Sequence, residues 1–219
     1  MRIWYAAYGS NLYRRRFACY LAGGRPPGAA VTYSGCRDPR PAAADRALTL
    51  PGGIYFAHSS PTWGGGVAFY DPELPGRAAA RAYLLTAEQF GDVVAQEMHR
   101  PAGTDLDLAE VLATGRQTLG PGRYETVLLV GEHEGDPVLT FTAPHPLDGA
   151  PVTAPTAAYL AMLGHGLREA HGWDAGRAAG YLAGRPGAAG AWTPGAVRDL
   201  LVAPRPAGDD ALAGGQPPT

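Results

Sequence analysis

Lysine is missing from all 219 residues, and asparagine occurs once, at Asn11. The first absence removes whole mechanisms, because without lysine there is no Schiff base, no internal pyridoxal anchor and no Walker-type phosphate loop. Serine is nearly as scarce. Ser10, Ser34, Ser59 and Ser60 are the full set and none sits in a GxSxG elbow, which argues against a serine hydrolase on the usual α/β scaffold. The two cysteines, Cys19 and Cys36, lie in no CxxC pair and cannot by themselves build a zinc site, so no metal is expected. They suit free thiols in a reducing cytoplasm. There is no dinucleotide fingerprint and no apolar run long enough to cross a bilayer, and MRIWYAAYG is too short and too polar for a signal peptide. The expectation is a cytoplasmic protein without a membrane partner. A net charge of −2 gives no field for nucleic acid, and the cluster Arg14, Arg15, Arg16 is too short to change that.

What is present is enough for one good core, since 46% of the chain is hydrophobic. One domain is expected over residues 1–203, followed by a disordered Gly/Pro-rich tail at 204–219. The first half reads as short strands punctuated by Gly and Pro: ALTL, GGIYFAH, GVAFY and AARAYLLT. Such spacing favours a small barrel or a curved antiparallel sheet. ETVLLVGEHEGDPVLTFTA reads as a late hairpin with GEHEGDP as its loop. Helices are expected from Thr86 to about Met98, near Asp105 to Ala113, and from Pro155 to Ala170, with two short ones started by Asp174 and by Thr193–Pro194.

The helix after AYLL carries the sharpest physical signal. Thr86 and Gln89 have capping-box spacing, which fixes where the helix starts and so its rotational phase. Phe90, Val93, Val94 and Glu97 then fall on one stripe, with Glu88, Asp92 and Gln96 on the outside. A carboxylate aimed at a core either finds an arginine or keeps a raised pKa, and the second state is what a general acid or base needs. The bland alternative is that Glu97 emerges at a frayed helix end. Asn11 has two compatible readings as well: a helix N-cap for LYRRRFACYL, or a side-chain amide with work in a site. Trp63, ahead of three glycines, is a candidate pocket wall or plain core. The fragment EHEGD around His133 reads as hairpin surface before it reads as a metal ligand.

YAAYGSNL, then WGGGVAF, then AYLLTAEQFGDVVAQE ending in Glu97, and finally APTAAYLAMLGHGLREAHGW follow the order seen in the γ-glutamylcyclotransferase family. The chain resembles the branch of that family that carries a YGSN turn, over about residues 3 to 183. The resemblance implies an α+β fold, a small mixed β-barrel with flanking helices, and a cavity at one end. It maps the substrate-binding turn onto Tyr8, Gly9, Ser10 and Asn11, the catalytic glutamate onto Glu97, and a pocket tyrosine onto Tyr124. About twenty residues, Thr104 to Arg123, intervene before Tyr124 where close relatives have only a few; they form either an ordered lid or a loop. The implied reaction converts a γ-glutamyl amide into 5-oxoproline and a free amine, with a small-molecule substrate, no cofactor, and a monomer or homodimer as the working unit. Two other readings stay open: a non-catalytic small-molecule binding module of the same fold, and a γ-glutamyl deprotecting or acyl-transfer enzyme of secondary metabolism.

Overall fold

A computed structural model describes residues 1–26 and 32–203. β1 (Arg2–Ala7) leads through a 3-10 turn (Ser10–Leu12) into α1 (Arg14–Ala22). β2 (Ala44–Pro51), β3 (Gly53–Ala57), β4 (Val67–Asp71) and β5 (Arg77–Thr86) follow, and then α2 (Ala87–Glu97). α3 (Ala109–Thr114), β6 (Arg116–Thr118), β7 (Thr126–His133) and β8 (Asp136–Thr142) precede the closing helices α4 (Ala157–His171), α5 (Ala175–Ala183) and α6 (Pro194–Val202).

A six-stranded mixed sheet runs in the order β2-β5-β1-β8-β7-β6, with β1 parallel to β8 and the other pairs antiparallel. β3 and β4 form a separate two-stranded ribbon. The α+β class is as expected, but the sheet does not close into a barrel: β2 and β6 are its two ends. Short strands suggested closure, whereas the pairing that sets the order is the long-range β1–β8 contact, which strand length does not encode.

β1 explains the two cores. Its side chains alternate, so Ile3, Tyr5 and Ala7 pack with Phe17, Tyr20, Phe90, Val93 and Val94 under α1 and α2. Trp4, Ala6 and Tyr8 pack on the opposite face with the β3–β4 ribbon and with Leu160, Leu163 and Leu167 of α4. A strand buried on both faces is apolar along its whole length, and Ile3 to Ala7 are all buried.

The helix signals hold. Thr86 Oγ1 accepts from Gln89 N at 3.1 Å and Gln89 Oε1 accepts from Thr86 N at 3.2 Å, completing the capping box on α2. Asp174 and Thr193 cap α5 and α6 through their side chains. The hairpin turn is tighter than expected, confined to Glu134 and Gly135, both at positive φ, with His133 still in the ladder opposite Asp136.

One more expectation needs correction. Asp92 and Gln96 do not face solvent: both are buried beneath the segment 33–38. Asp92 accepts from Arg37 N at 2.9 Å and from Gly103 N at 3.1 Å, and Gln96 Oε1 accepts from Gly35 N at 3.2 Å. Hydrophobic periodicity finds the stripe that meets the sheet but is blind to a loop that covers the polar side and satisfies it. The stretch from Thr104 to Arg123, left open between an ordered lid and a loop, supplies α3, close to the helix expected near Asp105 to Ala113, and the edge strand β6. The Gly/Pro-rich stretch at 204–219 lies outside the described residues.

Candidate active site

β1 ends at Ala7, and the next four residues turn across the end of the sheet. Tyr8 anchors the turn by donating its hydroxyl to Phe141 O at 2.8 Å. Asn11 follows in the 3-10 turn and is 3% exposed, while the N-cap of α1 is Tyr13 with no side-chain capping bond. Asn11 therefore does not cap the helix. Its Nδ2 donates to Glu97 Oε1 at 2.9 Å and reaches Tyr5 Oη at 3.4 Å.

Glu97 is the last residue of α2 and is half-buried. Burial raises its pKa above the ordinary glutamate value, against the opposing pull of Arg16, of hydrogen bonds from Tyr20 and Asn11, and of His99. Among the described residues it forms no ion pair within 4 Å; Arg16, the cation that acts on it most strongly, hydrogen-bonds to Ser10 and Tyr33.

The space around these groups has two parts. A recess of about 30 Å³ is lined by Tyr5, Tyr8, Gly9, Asn11 and Phe141, among others, and an outer cavity of about 390 Å³ opens beyond it. Ser10, Glu97, Tyr124 and Tyr159 line both. Tyr124 lies in the turn just before β7, not on the strand, with its ring 4.8 Å from Phe69 and its hydroxyl donating to Ala68 O at 3.0 Å. Trp63 walls the outer cavity, its ring 5.2 Å from that of Tyr159. The glycines beside it serve backbone contact: a Cβ on Gly66 would stand 2.0 Å from Thr153 O. Every residue expected in the site, Tyr8, Gly9, Ser10, Asn11, Trp63, Glu97 and Tyr124, lines one part or the other.

Two residues of the site were not singled out from the sequence. Tyr159, on the first turn of α4, accepts from Ala68 N at 3.0 Å, and the Ser10 backbone is a further donor to the same oxygen. Both bonds use the hydroxyl oxygen as acceptor, so neither uses its own proton. Arg16 is 3% exposed, with Nε donating to Ser10 Oγ at 2.8 Å. A helical stripe of Arg16, Phe17, Tyr20 and Leu21 would have found it by the reasoning that found Glu97, since it places a charge on an apolar face. Among the described residues, no group of three or more His, Cys, Asp or Glu side chains is arranged to hold a metal ion. Nor is any helix among them long and apolar enough to cross a membrane.

This arrangement of mixed sheet, ribbon and helices is that of a known α+β fold. The structure aligns with gamma-glutamyl cyclotransferase at a TM-score of 0.52 and 16% identity, over 92% of this chain and 98% of that one. The chain has the gamma-glutamyl cyclotransferase fold. An uncharacterized protein of Homo sapiens aligns at a TM-score of 0.47 and 18% identity, over 77% of this chain and 80% of that one. In sequence, the chain is 31% identical over 185 residues to Histone deacetylase 5 of Arabidopsis thaliana. The match covers 76% of this chain but only 28% of that protein's length. No protein-family model matches the chain.

Proposed function

We propose that the chain is a γ-glutamylcyclotransferase, cyclising a γ-glutamyl amide to 5-oxoproline with release of an amine or amino acid. The observation that carries this reading is the 2.9 Å bond from the Asn11 amide to Glu97, which joins the glycine-serine turn and the inward acid at one recess. The shared fold supports it without fixing the reaction. The deacetylase name belongs to a protein of which this chain spans 28%, and is not carried over.

Ionised Glu97 takes a proton from the substrate's α-ammonium group. The freed amine attacks the γ-carbonyl carbon, and a tetrahedral oxyanion forms. The bond from that carbon to the leaving nitrogen then breaks as protonated Glu97 returns its proton to the departing amine, and the ionised carboxylate takes the second proton from the ring nitrogen and passes it to the released amine, which leaves as an ammonium ion. No water or cofactor is consumed. A glutamate with a raised pKa suits both halves of this transfer. The Tyr159 hydroxyl is the donor for the oxyanion, and Asn11 keeps Glu97 in place. Holding the substrate folded for ring closure contributes a large share, since oriented intramolecular attack is worth roughly 7 kcal/mol or more. The free thiols of Cys19 and Cys36 agree with work in a reducing, cytoplasmic setting.

Incubation with γ-glutamyl-alanine and with a γ-glutamyl amine, followed by assay for 5-oxoproline, tests the reading directly. Release by the native chain and its loss in Glu97→Gln, with the fold retained, is the expected result. Absence of 5-oxoproline from every γ-glutamyl amide, or full turnover in Glu97→Gln, overturns it and leaves a binding module of the same fold.

A further inference from the structure

β5 carries a buried charge that lines neither the recess nor the outer cavity. The guanidinium of Arg81 pairs with Asp45 of β2 at 3.1 Å and with Glu169 of α4 at 3.2 Å. Its Nη1 also donates to Leu12 O at 2.9 Å. Two residues on, and so on the same face of the strand, Tyr83 donates its hydroxyl to Asn11 O at 2.8 Å. The carbonyls of Asn11 and Leu12, at the joint between the 3-10 turn and α1, are thus each held by a side chain of β5.

The same strand governs both ends of the Asn11–Glu97 bond. Three residues after Tyr83 the chain reaches Thr86, the cap that starts α2, and α2 ends at Glu97. Tyr83 is itself held, standing opposite Tyr5 in the β1–β5 register with its ring centre 4.0 Å from that of Phe17. An ion pair built on a buried arginine often adds no stability over apolar residues of similar volume, so the network around Arg81 is better explained by what the arginine holds. With two successive carbonyls pinned, the Asn11 backbone has little freedom to turn, and its amide is delivered to Glu97 Oε1 at 2.9 Å.

We propose that Tyr83 and Arg81 are positioning residues: they fix the backbone of Asn11 and Leu12 and, through the Asn11 amide, tune the ionisation of Glu97. Their effect on turnover rests on the cyclisation reading, whereas their effect on Glu97 does not.

The test places Tyr83→Phe, which removes the hydroxyl and keeps the ring on Phe17, in the native chain and in Asn11→Leu. Arg81→Lys, which keeps the charge and loses the guanidinium fork, is placed in the same two backgrounds. Two quantities are read: the titration of the Glu97 carboxyl by carbon NMR, its signal assigned by its loss in Glu97→Gln, and the kinetics of 5-oxoproline release from γ-glutamyl-alanine. In the native background Tyr83→Phe moves the Glu97 titration to higher pH, because a loosened Asn11 donates less well to the carboxylate. There kcat falls about fivefold, with KM within about twofold of the native value. In the Asn11→Leu background the same substitution changes neither quantity, since the amide through which it acts is gone. Arg81→Lys moves the titration in the same direction by less. An unmoved Glu97 titration in Tyr83→Phe overturns the proposal, as does an equal fold loss in both backgrounds, which would make the hydroxyl a stabilising group only. An unmoved titration in Arg81→Lys overturns the assignment of Arg81. If Tyr83→Phe does not fold, the same measurements on Arg81→Lys decide. A native chain that releases no 5-oxoproline refutes cyclisation alone, and the Glu97 titration then reads the positioning proposal independently.

Discussion

Asn11 and Glu97 are 86 residues apart in sequence and share a 2.9 Å hydrogen bond in which the amide donates and the carboxylate accepts. The bond favours the charged form of Glu97 and so opposes the burial that raises its pKa. It also fixes the direction of the carboxyl group, because Asn11 is itself held by Tyr83 Oη donating to its backbone carbonyl at 2.8 Å. One side chain thereby aims the acid and contributes to its ionisation.

Replacing Asn11 by Leu keeps the volume and removes the donor. A charge-assisted hydrogen bond of this kind contributes roughly 1.5–3 kcal/mol. The expected outcome is a pH-rate profile whose acidic limb moves to higher pH, because Glu97 loses a group that lowers its pKa while Arg16, Tyr20 and His99 remain. At pH 7 turnover falls about tenfold or more and recovers in part as the pH rises. Loss of activity with an unmoved acidic limb would assign Asn11 to substrate contact alone.

The raised pKa of Glu97 has a consequence for stability. Its folded-state pKa lies above the unfolded value, so the native state holds the proton to higher pH than the unfolded chain does. The stability Glu97 contributes is then fully present below the ordinary glutamate pKa, about pH 4.3, and is lost as pH rises through the folded-state pKa. Glu97→Gln removes the titration while keeping an oxygen for Asn11 to donate to. The variant melts at a higher temperature than the native chain at pH 7.5, and the gap narrows toward pH 4. A gap that widens on acidification contradicts the assignment. Catalytic groups that destabilise their own fold are a common trade.

The parts of this structure that were legible in the sequence are those set by local rules. Thr86, Asp174 and Thr193 fix helix starts through their own side chains, so each was readable within three residues. Glu97 was legible because its helix phase followed from such a cap. Arg16 was read only as part of a three-arginine cluster too short to make a field for nucleic acid, although it shares a buried face with Phe17, Tyr20 and Leu21. Its burial depends on Tyr33 and Trp63, brought in from distant segments. Asp92 failed for the same reason: its partners Arg37 and Gly103 come from segments that periodicity in α2 cannot see. Sheet closure failed because strand order is decided by long-range pairing.

Tyr159 sits where its oxygen accepts from Ala68 N at 3.0 Å while its ring forms part of the wall between recess and outer cavity. Burial raises its pKa, so the hydroxyl keeps its proton throughout the working range and can only act as a donor to developing negative charge. Tyr159→Phe removes that proton without changing the ring that packs on Trp63 and Phe56. Loss of one donor to a tetrahedral oxyanion lowers kcat by about 100-fold, with little change in KM because the ground-state carbonyl carries little charge. The N–H groups of Ala68 and Ser10 are also left without this acceptor, and each such loss costs about 1–3 kcal/mol of stability. Steady-state kinetics and thermal melts on the one variant separate the two effects, since the lost donor is read in kcat and the lost acceptor in the melting temperature. A rise in KM with kcat unchanged would mean that Tyr159 binds substrate and transition state alike, and would remove it as the oxyanion donor.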